Sequence, residues 1–292
     1  MRTIVMTGAT SGLGAVAAQI LVAAPDTRVL VGTRGKQVDG AELAPLDLAR
    51  LDSVREFART VRERLGDTKI DALALNAGIG SSGKHGTTED GYEEVFATNH
   101  LAHYLLLRLL APQLSSAATV VVTTSDTHDP RINKVAGPRH AYADLLAFPP
   151  AGGRRSALDG FRAYSSSKLC NLLTARGFAR RAEAEGHHLC VVAYNPGLTP
   201  ETQLNRDASP VVHTLSRTLV PLVRRFVHIN TVDEAGRTLA DLTLGVARPP
   251  RGRIYASLVR GELTWPDPSR VAQSDDAMTS LWTESASLVG LD

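Results

Sequence analysis

A chain of 292 residues, 43% of them apolar, can build one large α/β domain or two small ones, and it carries no low-complexity tract that would mark disorder. A net charge of +2 excludes a generally basic nucleic-acid surface, and Arg154-Arg155, Arg180-Arg181 and Arg224-Arg225 are short, scattered pairs that read as solvated faces. Two cysteines in apolar sequence, Cys170 and Cys190, exclude a disulfide framework and point to a reduced compartment.

The chain opens directly into a strand-like run, which offers no signal peptide, and no apolar stretch approaches the roughly 18 residues that span a bilayer. The expectation is a soluble, cytoplasmic protein. Short apolar or β-branched runs at 3–7, 28–32, 72–75, 119–124, 189–193 and 253–257 read as strands. Their nearly continuous apolar character suits strands covered on both faces, as in a parallel sheet. Helical patterns lie near 13–23, 52–65, 88–115, 161–185 and 233–245. With the further short strand-like segment that ends at Asp47-Leu48, this alternation predicts a doubly wound Rossmann-type fold, a mostly parallel sheet of seven strands with right-handed crossovers and helices on both faces. No repeat or linker divides it, so 1–292 reads as a single domain.

Two stretches break the rhythm. Residues 128–160 form a Pro/Gly/Arg-containing insertion, and 198–230 mix Pro with apolar and basic residues. Both leave carboxyl ends of strands, where open α/β sheets bind ligands, and long connections there tend to be lids.

The first strand runs into Thr7-Gly8-Ala9-Thr10-Ser11-Gly12-Leu13-Gly14, which opens the first helix. Glycines 8, 12 and 14 allow a tight turn and close approach to a pyrophosphate, and the helix start supplies amide donors. The competing reading is a purely structural turn. An acid about 20 positions on would accept a ribose 2′-hydroxyl. Instead, Arg34 lies 20 residues past Gly14. A guanidinium there suits a 2′-phosphate, which points to NADPH/NADP+. Asp47-Leu48 can hold the adenine edge and Asn76-Ala77-Gly78 can pack on the adenosine ribose, although each is equally a turn former.

At the other end, Tyr164 and Lys168 stand four residues apart on one helical face. A fixed ammonium there is expected to lower the phenol's pKa and make Tyr164 a proton donor or acceptor near neutral pH. His100 and His103 are three apart, a spacing that suggests a metal face, but no third ligand appears and packing is the better reading.

With these motifs in view, the chain resembles the short-chain dehydrogenase/reductases over essentially its whole length. The resemblance rests on Thr7-Gly8-x-x-x-Gly12-x-Gly14, Asn76-Ala77-Gly78, Asn99, Ser125, Tyr164-x-x-x-Lys168 and Asn195-Pro196-Gly197. It is most similar to the retinol dehydrogenase and light-dependent protochlorophyllide reductase branch, through Asp90-Gly91-Tyr92-Glu93, Thr98-Asn99-His100-Leu101-Ala102-His103, the Asp159–Asn171 stretch and the Leu281-Trp282 tail. Leu198 stands where the light-dependent enzymes carry a cysteine, which counts against photochemistry. Ser11 replaces a basic residue of many NADP-preferring members, so Arg34 bears the 2′-phosphate argument nearly alone.

The resemblance implies hydride exchange between nicotinamide C4 and a substrate carbon. Ser125 would hydrogen-bond the substrate oxygen, Tyr164 would exchange the proton, and Lys168 would hold the nicotinamide ribose and stabilise tyrosinate. Asn99 would kink its helix around a water linking Lys168 to bulk. Pro196-Gly197 would flank the nicotinamide, with Thr199 or Thr202 reaching the carboxamide. Apolar residues of the 198–230 segment imply a small hydrophobic carbonyl or alcohol, or an enone reduced at C=C. The same segment can be read as a surface-seeking amphipathic helix, which is disfavoured. A non-catalytic NADP(H) sensor is disfavoured because Ser125, Tyr164 and Lys168 are all present. Monomer and homodimer both remain open.

Overall fold

Side chains on successive strands alternate between two cores, as the two-residue period of a strand requires. Val5, Leu30, Leu73, Val120, Val122 and Val191 are buried on one face, while Ile4, Met6, Val29, Val31, Val121 and Val192 are buried on the other. Neither face meets water, hence the unbroken apolar runs. The computed structural model describes residues 1–80, 86–134, 137–138, 146–147, 156–199 and 229–291.

Strands β1 (Arg2–Thr7), β2 (Thr27–Thr33), β3 (Glu42–Pro45), β4 (Ile70–Leu75), β5 (Leu114–Thr123), β6 (Cys190–Asn195), β7 (Tyr255–Val259) and β8 (Glu262–Thr264) form one sheet in the order β3-β2-β1-β4-β5-β6-β7-β8. All neighbours are parallel except β7 and β8. The expected seven strands are therefore eight. The addition is a hairpin edge strand whose two-residue turn, Arg260-Gly261, has φ of 53° and 75°. Paired positive φ values match the twist of a tight hairpin.

Helix α1 (Gly12–Ala23) covers one face of the sheet, and α2 (Leu51–Leu65) the other. The pattern expected to be helical over 88–115 begins later and is interrupted. Thr87 and Glu93 form an isolated antiparallel bridge, and the Glu93 carboxylate accepts from the amides of Val95 and Phe96. From there α3 (Glu94–Phe96), a π-helical turn (Ala97–Leu101) and α4 (Ala102–Leu110) follow directly. A 3-10 turn at Ala111–Gln113, containing Pro112, ends the run, and β5 already starts at Leu114.

Helix α5 (Ala157–Ala184) starts with a reciprocal capping box between Ser156 and Asp159. Helix α6 (Val232–Thr243) has the same device in Thr231 and Glu234 and packs beside α1. The final helix, α7 (Asp275–Leu288), was not anticipated as an element. Its signals were local: Ser274 caps the Ala277 amide, with Asp275 and Asp276 in the first turn. It packs Trp282 edge-on to Tyr104, with ring centroids 5.1 Å apart and the Arg181 guanidinium 4.2 Å over the indole. The Tyr104 hydroxyl donates to the Trp282 carbonyl at 2.8 Å, and the Tyr92 hydroxyl to the Leu288 carbonyl at 2.6 Å.

Most of the 128–160 insertion and residues 200–228 of the expected lid lie outside the described residues. Leu198 and Ile229, which flank the latter, form a parallel bridge. Among the described residues no helix is long and apolar enough to cross a membrane.

Candidate active site

β1 pairs with β2 on one side and β4 on the other, so the chain reverses its winding direction at the carboxyl ends of β1 and β4. That crevice is where such sheets take dinucleotides. Gly8 and Gly12 bridge it with φ of 71° and 55°, a region open to glycine. At Gly14 the reason is space: a Cβ would lie 1.9 Å from the Gly8 carbonyl oxygen. Thr7 Oγ1 accepts from the amides of Asn76 at 3.0 Å and Ala77 at 3.1 Å, and Asn76 Nδ2 donates to the Gly8 carbonyl at 3.2 Å. The Gly-rich turn and the Asn76-Ala77-Gly78 segment are thus one unit.

Helix α1 opens at Gly12 with no acidic residue in its first turn and no side-chain cap from Ser11. The start is left electropositive and suits an anion. Thr10 and Ser11 are half-buried on this turn, while Leu13 turns into the core. Arg34, just past β2, is exposed and makes no ion pair among the described residues, so its guanidinium can take a phosphate. Asp47 differs from expectation in part: one carboxylate oxygen accepts from the Ala49 amide at 3.1 Å, a local turn. Leu48 is 9% exposed and its side chain belongs to the core, so at that position it is the backbone that can serve an adenine edge.

The catalytic candidates meet where β5 ends beside α5. Thr124 Oγ1 donates to the Lys168 carbonyl at 2.6 Å, clamping strand to helix. Ser125 is extended and begins a 3-10 turn (Asp126–His128), with its hydroxyl accepting from the Thr127 amide. The hydroxyl also reaches the Asp126 carboxylate, at 3.4 Å. Burial drives the half-buried Tyr164 phenol up to about 12; the Ser125 hydrogen bond opposes this and the Asp126 charge adds to it.

This reverses the expected lowering of the phenol's pKa by Lys168. The ammonium lies 5.6 Å over the Tyr164 ring and donates to the Thr123 carbonyl at 3.2 Å. Burial also pulls Lys168 down to about 8, since its surroundings disfavour the charged form.

Asn99 sits on the π-helical turn and is fully buried. Its side chain accepts from the Ile79 amide at 2.8 Å and donates to the Ile79 carbonyl at 3.1 Å and Ser167 Oγ at 3.1 Å. A Cβ on Gly78 would sit 3.2 Å from Asn99 Oδ1 and 3.3 Å from Lys168 Nζ. Gly78, Asn99 and Lys168 therefore converge at close range. The two sequence ends, Gly8–Gly14 and Tyr164–Lys168, are joined through this point.

Asn195-Pro196-Gly197 leaves β6 with Gly197 at φ of 67°. Sequence reasoning missed its buttress, Asn230. That side chain donates to the carbonyls of Pro196 at 2.9 Å and Leu258 at 2.8 Å and accepts from the Gly261 amide at 3.0 Å. Thr199 is buried, and Thr202 lies outside the described residues. His128 was also missed: it is buried, with Nδ1 2.6 Å from the Ser125 carbonyl and Nε2 accepting from the Ser269 amide at 3.3 Å. Neither residue belongs to a spacing pattern, so no local signal marked them.

His100 and His103 point apart, His100 Nε2 to Ser285 Oγ at 2.9 Å and His103 Nε2 to Thr7 Oγ1 at 3.0 Å. Among the described residues no His/Cys/Asp/Glu cluster suits a metal.

Known proteins similar to this chain identify its family. The family model for short chain dehydrogenase matches residues 2–136. Protochlorophyllide reductase A of Oryza sativa subsp. japonica is 32% identical over 99% of this chain and 80% of its own length. Protochlorophyllide reductase of Avena sativa is also 32% identical, covering 99% of both chains. Among solved structures, an uncharacterized protein from Mycobacterium paratuberculosis is 30% identical with a TM-score of 0.72, covering 99% of this chain and 94% of that one. NADPH bound carbonyl reductase from chicken fatty liver shares the fold at 18% identity and a TM-score of 0.59, covering 91% and 94%. A Gly-rich switch point joined to a Ser–Tyr–Lys cluster, in a chain this similar to those proteins, makes it a member of the short-chain dehydrogenase/reductase family, an oxidoreductase.

Proposed function

We propose that this chain uses NADPH to interconvert a hydrophobic carbonyl compound and its alcohol in the cytoplasm. The observation that carries the reading is the convergence of Ser125, Tyr164 and Lys168 at the end of β5, beside Gly78 and the Gly-rich turn. NADPH, when bound, supplies the hydride. Gly8, Gly12 and Gly14 would leave room for its pyrophosphate, Arg34 would pair with its 2′-phosphate, and Lys168 and Gly78 would hold its ribose. Ser125 holds the substrate oxygen, and Tyr164 passes its hydroxyl proton to the oxygen as negative charge develops there. Lys168, cationic below pH about 8, stabilises the tyrosinate left behind. Two unpaired thiols, Cys170 and Cys190, support a reducing compartment.

Reduction of an activated C=C is the second reading, favoured by the protochlorophyllide reductases among the relatives. Leu198, 49% exposed beyond Pro196-Gly197, supports a thermal rather than a light-driven step. Ketones, aldehydes and enones screened with NADPH deuterated at C4 separate the readings. Deuterium on a carbinol carbon supports the first, and on a former alkene carbon the second. NADPH consumption with none of these classes overturns both.

A further inference from the structure

His103 is two per cent exposed and sits on α4, and its two ring nitrogens bond two different segments. Nε2 is 3.0 Å from Thr7 Oγ1, and Nδ1 is 3.0 Å from the Asn99 carbonyl oxygen. A hydroxyl has two acceptor lone pairs and one proton. Both lone pairs of Thr7 are taken by the amides of Asn76 and Ala77. The hydroxyl proton is left to go to His103 Nε2, which must then be unprotonated, and the ring's proton is on Nδ1, facing Asn99.

The direction of every bond in this chain follows. The amides of Asn76 and Ala77 donate to Thr7, Thr7 donates to His103, and His103 donates to Asn99. Asn99 in turn holds the Ile79 amide and carbonyl with its side chain, which closes a loop around residues 76–79. A ring with one donor and one acceptor completes it; a cationic ring would place a second N–H against an oxygen with no lone pair free. Burial pulls His103 down to about 4, the nearby Lys168 charge adds to that, and the Asn99 hydrogen bond opposes it, so the ring is neutral where the enzyme works.

We propose that His103 is a positioning residue: a neutral, Nδ1-protonated imidazole that ties the cofactor-binding loop at Thr7–Ala77 to the Asn99 turn beside Lys168. The inference rests on the proposed nicotinamide site. Its two links are separable, because an Asn side chain reaches about as far as Nδ1 and a Gln about as far as Nε2. His103→Asn keeps a donor to Asn99 and loses Thr7. His103→Gln keeps an acceptor for Thr7 and loses Asn99. His103→Phe loses both.

The test has two arms. Long-range 1H–15N spectra of the wild-type protein should show a His103 imidazole protonated at Nδ1 and unchanged from pH 6 to 9; an Nε2-protonated or titrating ring overturns the proposal. NADPH titration by fluorescence should show His103→Asn weakened about tenfold, as expected for one buried hydrogen bond, and His103→Gln nearly unchanged. Turnover on any substrate found should show the reverse, with His103→Gln slower by a similar factor and His103→Phe impaired in both. Equal losses in all three per folded molecule, or none, would mean that the ring only fills space. Should the wild-type protein itself fail to bind NADPH, the nicotinamide reading falls and the spectra still judge the tautomer. If the variants do not fold, the wild-type spectra decide alone.

Discussion

The ammonium of Lys168 and the carbonyl oxygen of Thr123 lie 3.2 Å apart, and Asn171 Nδ2 reaches the same oxygen at 3.1 Å. One strand-end carbonyl thereby holds both Lys168 and the residue three positions further along α5. The lysine is 3% exposed with no carboxylate to pair with among the described residues. Such a charge costs stability, which accords with the role proposed for Lys168.

The sign of that cost is testable. Burial lowers Lys168 from 10.5 to about 8. Below pH 8 both folded and unfolded chains carry the proton and the fold bears the full cost. Between about 8 and 10.5 the unfolded chain binds the extra proton, so this contribution makes stability rise with pH. Lys168→Met should therefore be more stable than the wild type at pH 7, on the order of 1–3 kcal/mol, with the difference shrinking by pH 10. Denaturant melts across that range check it, and parallel curves for the two proteins would refute it.

Tyr164→Phe should leave NADPH affinity nearly intact while lowering turnover by roughly two to four orders of magnitude. Steady-state kinetics beside a fluorescence titration measure both. Wild-type turnover in this variant would remove Tyr164 as the acid.

Arg34→Asp removes the exposed guanidinium and sets a carboxylate against a 2′-phosphate. The preference for NADPH over NADH should fall about 10- to 100-fold or reverse, the worth of a charge-assisted bidentate contact. An unchanged ratio of kcat/KM for the two cofactors would sink the assignment.

Gly14→Ala brings a Cβ to 1.9 Å from the Gly8 carbonyl, a backbone atom that cannot swing aside. The Gly-rich turn and the helix start must move apart, disturbing the bond between Asn76 Nδ2 and the Gly8 carbonyl. Overpacking of this kind costs about 1–3 kcal/mol, so a lower Tm and weaker NADPH binding are expected together. Retention of both would show that the turn is looser than its contacts imply.

Trp282→Ala should destabilise the protein by about 3–5 kcal/mol while leaving KM for NADPH unchanged in the folded fraction. The indole is 8% exposed and packs against Tyr104, Arg181 and Arg108 on the side of α4 and α5 away from the cofactor crevice. Thermal melts and kinetics on the same preparation separate the two effects.

Local chemistry made much of this molecule legible. The parallel sheet could be read from the apolar runs because two covered faces leave no polar positions on a strand. Tyr164 and Lys168 could be placed together because four residues are about one helical turn. The π-helical turn at Ala97–Leu101 could not be read, since the residues of such a turn differ little from those of an ordinary helix. The hairpin strand β8 and the helix α7 were overlooked although Arg260-Gly261 and Ser274-Asp275-Asp276 signalled them locally.

By itself the sequence determined the alternation of strands and helices, the Gly-rich turn and the Tyr164–Lys168 spacing, all of which depend on neighbours within a few residues, while Ser125 is marked only by the family resemblance. Only the tertiary structure decided how those parts are held and charged. Thr7 and His103 are 96 positions apart, and Lys168 meets Thr123 across 45. No periodicity links such pairs. Nor did spacing show that burial carries the Tyr164 phenol up to about 12. Desolvation is set by everything packed around a group, and that exists only once the chain has folded.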